Sequence, residues 1–418
     1  MQDEKISVII PVHNAAATLD RAVQSVLQQT IRKKLSIELI LVDDGSTDES
    51  GDLCREYKTN EMERIGGKSF GGDGAECNVY GLERTSVKSA PDLEAKGNTA
   101  EEGLKPIHVK VVCMEDEGVS EARNRGLELA EGSYITFLDA DDAMDAKMLE
   151  CLYALHERTG AEICGCSFQS IPAAELVTRQ DGDRCASGMA GESKAQRTGI
   201  RGTDSGTERC AAANADEESL EEHENVNLLC GTGIVRDGIL QRDTRVWSKL
   251  FTRSVIGEHR FRKGLTIGED MLFVLSLIER ETTYVSVPEK GYLYTVNPQG
   301  AMERPFTPSF MDQIRCWEEA ENILRENLPE LLEDWAAMGR LRSLQIVSDV
   351  LTASKIAKLP KNERDSYGEQ FEQCRKALAR HRKSGSASGI PTDYRIKSFL
   401  LSYMPGVFRA IYQIPQTL

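Results

Sequence analysis

The stretch SYITFLDADDAMD, from Ser133 to Asp145, sets Asp139, Asp141, Asp142 and Asp145 directly behind the apolar run Tyr134 to Leu138. Carboxylates this close repel one another, so the arrangement points to a bound cation or to the handling of a phosphate. Two other polar clusters follow the same plan: PVHN (Pro11 to Asn14) comes after ISVIIP, and DDGS (Asp43 to Ser46) comes after IELILV. A further acidic pair, Glu269 and Asp270, opens a stretch with Met271, Leu272, Val274, Leu275 and Ile278 at helical spacing. Carboxylates are favoured at such a helix start. Taken together, these residues suit metal-assisted chemistry at a phosphate, with a carboxylate free to act as a general base.

The elements that must position these groups can be read from periodicity. Ile6 to Pro11, Ile37 to Val42, His108 to Cys113 and Tyr134 to Leu138 read as strands carrying β-branched residues, and Ala161 to Phe168 as a fifth strand. Between them, Leu19, Val23, Val26 and Leu27 share one helical stripe. GVSEARNRGLELAEG reads as a helix with Ser120 as N-cap and Gly132 as the stop, and AKMLECLYALHER as the helix after the fourth strand. Alternating strands and helices predict an α/β fold with a mostly parallel, Rossmann-like sheet flanked by helices. Ligands of such sheets bind beyond the carboxyl ends of the strands, where PVHN, DDGS and DADD would converge on one rim.

Composition narrows the function. The chain has 418 residues, 40% hydrophobic, and a net charge of -16, which excludes a sequence-independent nucleic-acid binder. Eleven cysteines without a CxxC pair suggest free thiols in a reducing cytoplasm. The start MQDEKISVII has no signal-peptide character, and no apolar run reaches the roughly 18 residues of a membrane-spanning helix. Residues 58–106 and 172–227 are rich in Gly, Ser and charge, and read as mobile surface insertions in a domain covering 1–307. Residues 308–418 read as a helical C-terminal region. From Arg375 to Leu418 it carries eight basic residues against one acid, Asp393, together with FLLSYMPGVFRAIYQI. That tail is expected either to lie on an anionic membrane surface or to pack on the catalytic domain as a helix pair.

The successive blocks SVIIPVHNAAATLDRAVQSVLQQT, ELILVDDGSTDES, GVSEARNRGLELAEGSYITFLDADD, VWSKLF and GEDMLF resemble family 2 glycosyltransferases of the GT-A fold, in order and spacing. The resemblance implies a nucleotide-diphosphate sugar donor, UDP by default, with Pro11, Val12, His13, Asn14, Asp43, Asp44, Arg123 and Asp139 lining it. It further implies that Asp141 ligates Mn²⁺ or Mg²⁺ and that Asp270 is the catalytic base. Transfer to a glycan or lipid-linked acceptor with inversion follows, in the cytoplasm or at the inner face of the membrane, in the synthesis of cell-surface polysaccharide or glycolipid. QRDTRVW does not match the QxxRW block of processive members, which implies a non-processive enzyme. Where the family often has Asn-Gly before GVS and a proline after DxDD, this chain has EDEGVS and Ala146, which affects loop shape. The competing readings are an inactive relative that keeps the fold and a sugar nucleotidyltransferase. The latter should carry a glycine-rich loop where this chain has PVHNAAATL.

Overall fold

A computed structural model describes residues 4–64, 103–172, 226–297 and 304–413, so most of both expected insertions lies outside the described residues. Strand β1 (Lys5–Val12) is buried on both faces and sends alternate side chains to two cores. Ile6, Val8, Ile10 and Val12 enter one, and Ile9 the other. The same period of two divides β2 (Ser36–Asp44): Ile37, Leu39 and Leu41 face the first core, Ile40 and Val42 the second. A strand between two layers needs this all-apolar pattern, and each fully buried Ile, Leu or Val contributes about 1.5–3 kcal/mol.

β3 (Ile107–Met114) pairs parallel to β2, and β4 (Tyr134–Phe137) parallel to β1. The expected fifth parallel strand is displaced. β6 (Ile163–Pro172) is separated from β4 by β8 (Lys249–Thr252), which runs antiparallel to both. β9 (Thr283–Val296) then pairs parallel with β6, while β5 (Ala143–Met144) and β7 (Asn227–Cys230) run antiparallel to β9. The nine-stranded sheet has the order β3-β2-β1-β4-β8-β6-β9-β5, with β7 on β9. It is thus mixed and mostly parallel, with helices α1 (Leu19–Leu27), α2 (Ser50–Arg64), α3 (Val119–Leu129) and α4 (Met148–Thr159) in the crossovers.

Local expectations are corrected at several points. Gly118, at φ 95°, is the N-cap of α3, whereas Ser120 lies in its first turn and donates to the Leu265 carbonyl at 3.3 Å. Gly132 is not the stop: α3 ends at Leu129, and Gly132 instead packs where an added Cβ would sit 2.7 Å from the Lys5 carbonyl oxygen. Helix α2 carries Lys58 to Arg64, residues expected to begin an insertion. Its low apolar content hides it; among its described side chains, Leu53, Cys54 and Tyr57 attach it to the core. Described cysteines such as Cys54, Cys164, Cys316 and Cys374 are free, but Cys230 is disulfide-bonded, against the expectation of free thiols.

After α5 (Arg253–Ile256), helix α6 (Glu269–Ser276) buries Met271, Leu272, Val274 and Leu275. The core that receives them continues into α7 (Asp312–Asn327) and the start of α8 (Trp335–Lys358) through Cys316, Ala320, Leu324 and Leu341. The second half of α8 anchors a separate cluster with α9 (Lys361–Ser366), α10 (Gly368–Lys383), α11 (Thr392–Tyr403) and α12 (Pro405–Ile411). Leu401 and Phe408 of the tail are fully buried there, so the helix pair packs on α8 and α10.

Candidate functional site

The ends of β1 and β2 are laced together by side chains. Asn14 adopts a left-handed backbone (φ 50°), and its Oδ1 accepts from the Thr47 N–H at 2.8 Å and from the Asp48 N–H at 3.3 Å. His13 Nδ1 lies 2.7 Å from the Asp44 carbonyl oxygen, and its Nε2 lies 3.0 Å from Asn14 Nδ2. Those partners settle the tautomer, because the carbonyl can only accept; the proton is on Nδ1. Asp43 Oδ1 accepts from the Ser46 N–H at 3.2 Å and closes the turn. Gly45 in that turn has φ 65°, and a Cβ there would come within 2.6 Å of the Asp116 nitrogen.

Asp44 reaches across to the loop before α3. Its two oxygens accept from the Glu117 and Gly118 N–H groups, each at 2.9 Å. Burial raises its pKa, and those two N–H groups oppose the rise. His13, Asp44 and Asp116 bring potential ligand atoms within 4.8 Å of one another. Each Asp44 oxygen accepts one N–H and keeps a lone pair, but both nitrogens of His13 have partners, so a cation there would have to displace one of the His13 partners.

The strand-end acids behind β4 divide into distinct roles. Asp142 is buried and tied to β9: Tyr292 donates its hydroxyl to Oδ2 and Thr295 its N–H to Oδ1, both at 2.7 Å. The Tyr292 oxygen also accepts from the Asp139 N–H at 3.3 Å. Asp141 is held by its main chain, whose carbonyl accepts from Arg21 of α1, and Arg21 also donates to Thr295 Oγ1 at 2.8 Å. Burial and the charge of Asp139 raise the pKa of both Asp141 and Asp142, the latter to about 8. Arg123 pairs with Asp139 and Arg21 lies near Asp141 and Asp142, so the negative charge at this strand end is balanced only in part. A divalent cation fits it, because magnesium and manganese sites take one or two carboxylates and complete their shell with substrate phosphates and water.

The third group joins α3 to α6. Arg123 is almost wholly buried, and its guanidinium donates to Asp139 at 3.0 Å, Glu269 at 3.0 Å and Asp270 at 2.7 Å. Burial works against its cation, but Asp270, Asp139 and Glu269 outweigh that and hold its pKa above the ordinary value. Arg123 is therefore neither a solvated helix-face charge nor a partner of Glu121 or Glu128. Asp270 also accepts from the Val246 N–H at 3.4 Å, and burial raises its pKa against the pull of Arg123. Glu269 is raised to about 7 by burial and by the Asp270 charge. Helix α6 starts at Gly268 in a left-handed conformation, φ 93°, where a Cβ would lie 2.9 Å from Cys316.

The structure thus joins Asp139 and Asp270 through Arg123, and joins His13, Asn14 and Asp44 in one loop cluster. Pro11 and Val12 end β1 beside them. Sequence reasoning passed over Arg21, Tyr292 and the buried Lys249–Asp243 pair at 2.6 Å, and it saw Glu269 only as a helix-start charge. Lys249 also donates to the Arg245 carbonyl at 2.9 Å, which fixes the segment whose Val246 N–H meets Asp270. Spacing carries no signal for these partners, since the Arg21–Asp141 contact spans 120 positions.

The fold is of the GT-A type. Residues 7–66 and 95–210 match the family described as glycosyl transferase family 2. The chain is 22% identical to the glycosyltransferase EpsJ of Bacillus subtilis over 74% of its length and 66% of that protein. It is 32% identical to the minor teichoic acid biosynthesis protein GgaA of the same organism, over 35% of this chain and 24% of that one. It matches 18% of the glycosyltransferase GlyA of Streptococcus pneumoniae at 28% identity, so these relatives are each matched over less than two thirds of their length. Among solved structures, S. aureus TarS 1–349 in complex with UDP-GlcNAc superposes with a TM-score of 0.52 at 14% identity, covering 98% of this chain and 89% of that one. Among the described residues, no helix is long and apolar enough to cross a membrane.

Proposed function

We propose that this chain is a non-processive, inverting glycosyltransferase that moves a sugar from a nucleoside diphosphate donor, UDP by default, to a hydroxyl of a glycan or lipid-linked acceptor. The observation that carries this reading is the Arg123 bridge, which fastens the first acid of DADD to the carboxylate that opens α6. In the reaction, Pro11, Val12, His13, Asn14, Asp43 and Asp44 form the wall for base and ribose, and Asp139 borders the ribose. Asp141 is the residue that would hold Mn²⁺ or Mg²⁺, which when bound neutralises charge developing on the leaving diphosphate. Asp270 takes the acceptor proton as the hydroxyl attacks from the face opposite the leaving group. Its raised pKa makes it a stronger base than an ordinary aspartate, and Arg123 keeps it ionised enough to accept a proton. Arg123 was expected at the nucleotide; with its guanidinium turned to three carboxylates, it enters here as a positioning residue.

Relatives named for teichoic acid synthesis support a cell-surface polymer as the product and the cytoplasmic side, at the inner face of the membrane, as the place of action. An inactive relative would have no reason to keep Asp141 and Asp270, and a nucleotidyltransferase would not need a base at α6. Calorimetry with UDP, GDP, CDP and dTDP, each with Mn²⁺ and with chelator, tests the reading. Metal-dependent binding of one nucleoside diphosphate is expected, and binding of none of them would overturn it.

A further inference from the structure

Large apolar side chains exposed among the described residues are concentrated in the C-terminal helix pair. Ile396, Phe399, Tyr403, Met404, Val407 and Ile411 are between 39% and 65% exposed, and only Tyr294, Val296 and Trp335 lie elsewhere. Ile396, Phe399 and Tyr403 recur at helical spacing along α11, and Val407 and Ile411 one turn apart along α12. The opposite side of the same helices is already satisfied, because Leu401 and Phe408 are fully buried against α8 and α10. Folding of the pair therefore does not account for the outer stripe.

The rim of this stripe is basic. The Arg382 guanidinium lies over the Tyr403 ring at 5.4 Å, Arg395 is exposed beside Ile396 on α11, and Lys383 is exposed next to Arg382. The segment from Arg375 onward has eight basic residues against one acid, in a chain whose net charge is -16. We propose that this face of α11 and α12 seats on an anionic lipid bilayer, with Ile396, Phe399, Tyr403 and Val407 at the headgroup boundary and the arginines and lysines among the headgroups. Aliphatic and aromatic residues flanked by long basic side chains suit that interface. A second copy of the chain is a poorer occupant, since a symmetric contact would set one basic patch against its own image. Each basic residue near an anionic leaflet raises partitioning on the order of fivefold, so charge and the apolar stripe act together.

This surface deepens the proposed reading, because it says where the enzyme would meet a lipid-linked acceptor. It is linked to the site through Ile267, which packs against the cluster that holds Leu401 and Phe408 and precedes the start of α6.

Co-sedimentation of the full chain with equimolar phosphatidylglycerol–phosphatidylcholine vesicles, and with phosphatidylcholine vesicles alone, tests the proposal without reading turnover. It can therefore fail while the transferase reading stands. The parent is expected to sediment with the anionic vesicles and not with the neutral ones. The triple variant Ile396→Ser/Phe399→Ser/Val407→Ser, with thermal unfolding like the parent, is expected to stay in the supernatant. The charge variant Lys383→Gln/Arg395→Gln should lose more than about tenfold in partitioning, and it serves as the probe if the triple variant unfolds. A parent that ignores anionic vesicles, or binds neutral ones equally, would overturn the proposal. So would variants that sediment like the parent. A dimer in analytical ultracentrifugation that the triple variant dissolves would assign the face to a second copy and also overturn it.

Discussion

Replacing Arg123 with methionine keeps much of the apolar stem and removes the guanidinium that touches Asp139, Glu269 and Asp270. Removing one partner of a buried ion pair costs about 3–5 kcal/mol, because the remaining charge is left buried and uncompensated. The loss must also depend on pH. Without the cation, carboxylates whose pKa values are already raised, Glu269 to about 7, climb further, so the folded variant binds more protons than the folded parent. A group with a raised folded-state pKa stabilises below its unfolded value, and that stability is lost as pH climbs towards the folded value. The deficit of the variant should therefore be smaller near about pH 6 and larger near about pH 8.5, by at least about 1.4 kcal/mol for one extra proton held across one pH unit. Urea unfolding of parent and variant in chelator at both pH values measures it. Equal deficits at the two pH values, or a deficit under about 1 kcal/mol, would refute the reasoning that these acids are held by Arg123.

Two further outcomes follow from the acids behind β4. Asp142→Asn keeps an oxygen for the Thr295 N–H and removes a carboxyl whose pKa is raised to about 8, so its stability relative to the parent should improve as pH rises from about 5 to about 9. Thermal melts across that range would expose a flat difference if the charge were immaterial. Asp141→Ala should leave the melting temperature within a few degrees of the parent and abolish the Mn²⁺ dependence of nucleotide binding in calorimetry; retained dependence would move the cation to other ligands, with His13, Asp44 and Asp116 next in line.

Much of the fold was legible because its information is local. The period-two split of β1 and β2 between two cores, and the polar clusters that straddle the ends of β1 and β2 and follow β4, can be read within short windows. What stayed hidden is non-local. The insertion of β8 between β4 and β6 depends on a chain segment far downstream, and no window around Tyr134 signals that Thr252 is its partner. Arg123 shows the same limit: its helix could be expected from the sequence, while Glu269 and Asp270, its partners at separations of 146 and 147, could not. Helix α2 was missed for the opposite reason, since its own residues are too polar to show a stripe and it is held by few apolar contacts. Ser120 misled because serine is a good N-cap by type, whereas the left-handed backbone required before Val119 suits Gly118 better.

The most direct test of the account is sugar-nucleotide turnover by Asp270→Asn, measured with Mn²⁺ present beside calorimetric affinity for the nucleoside diphosphate. Asparagine keeps the size and the contact with the Val246 N–H while losing basicity, so kcat should fall about 10²-fold or more with nucleotide affinity nearly unchanged. An Asn variant that turns over like the parent would contradict the assignment of Asp270 as the base and leave it as a partner of Arg123 at the start of a helix.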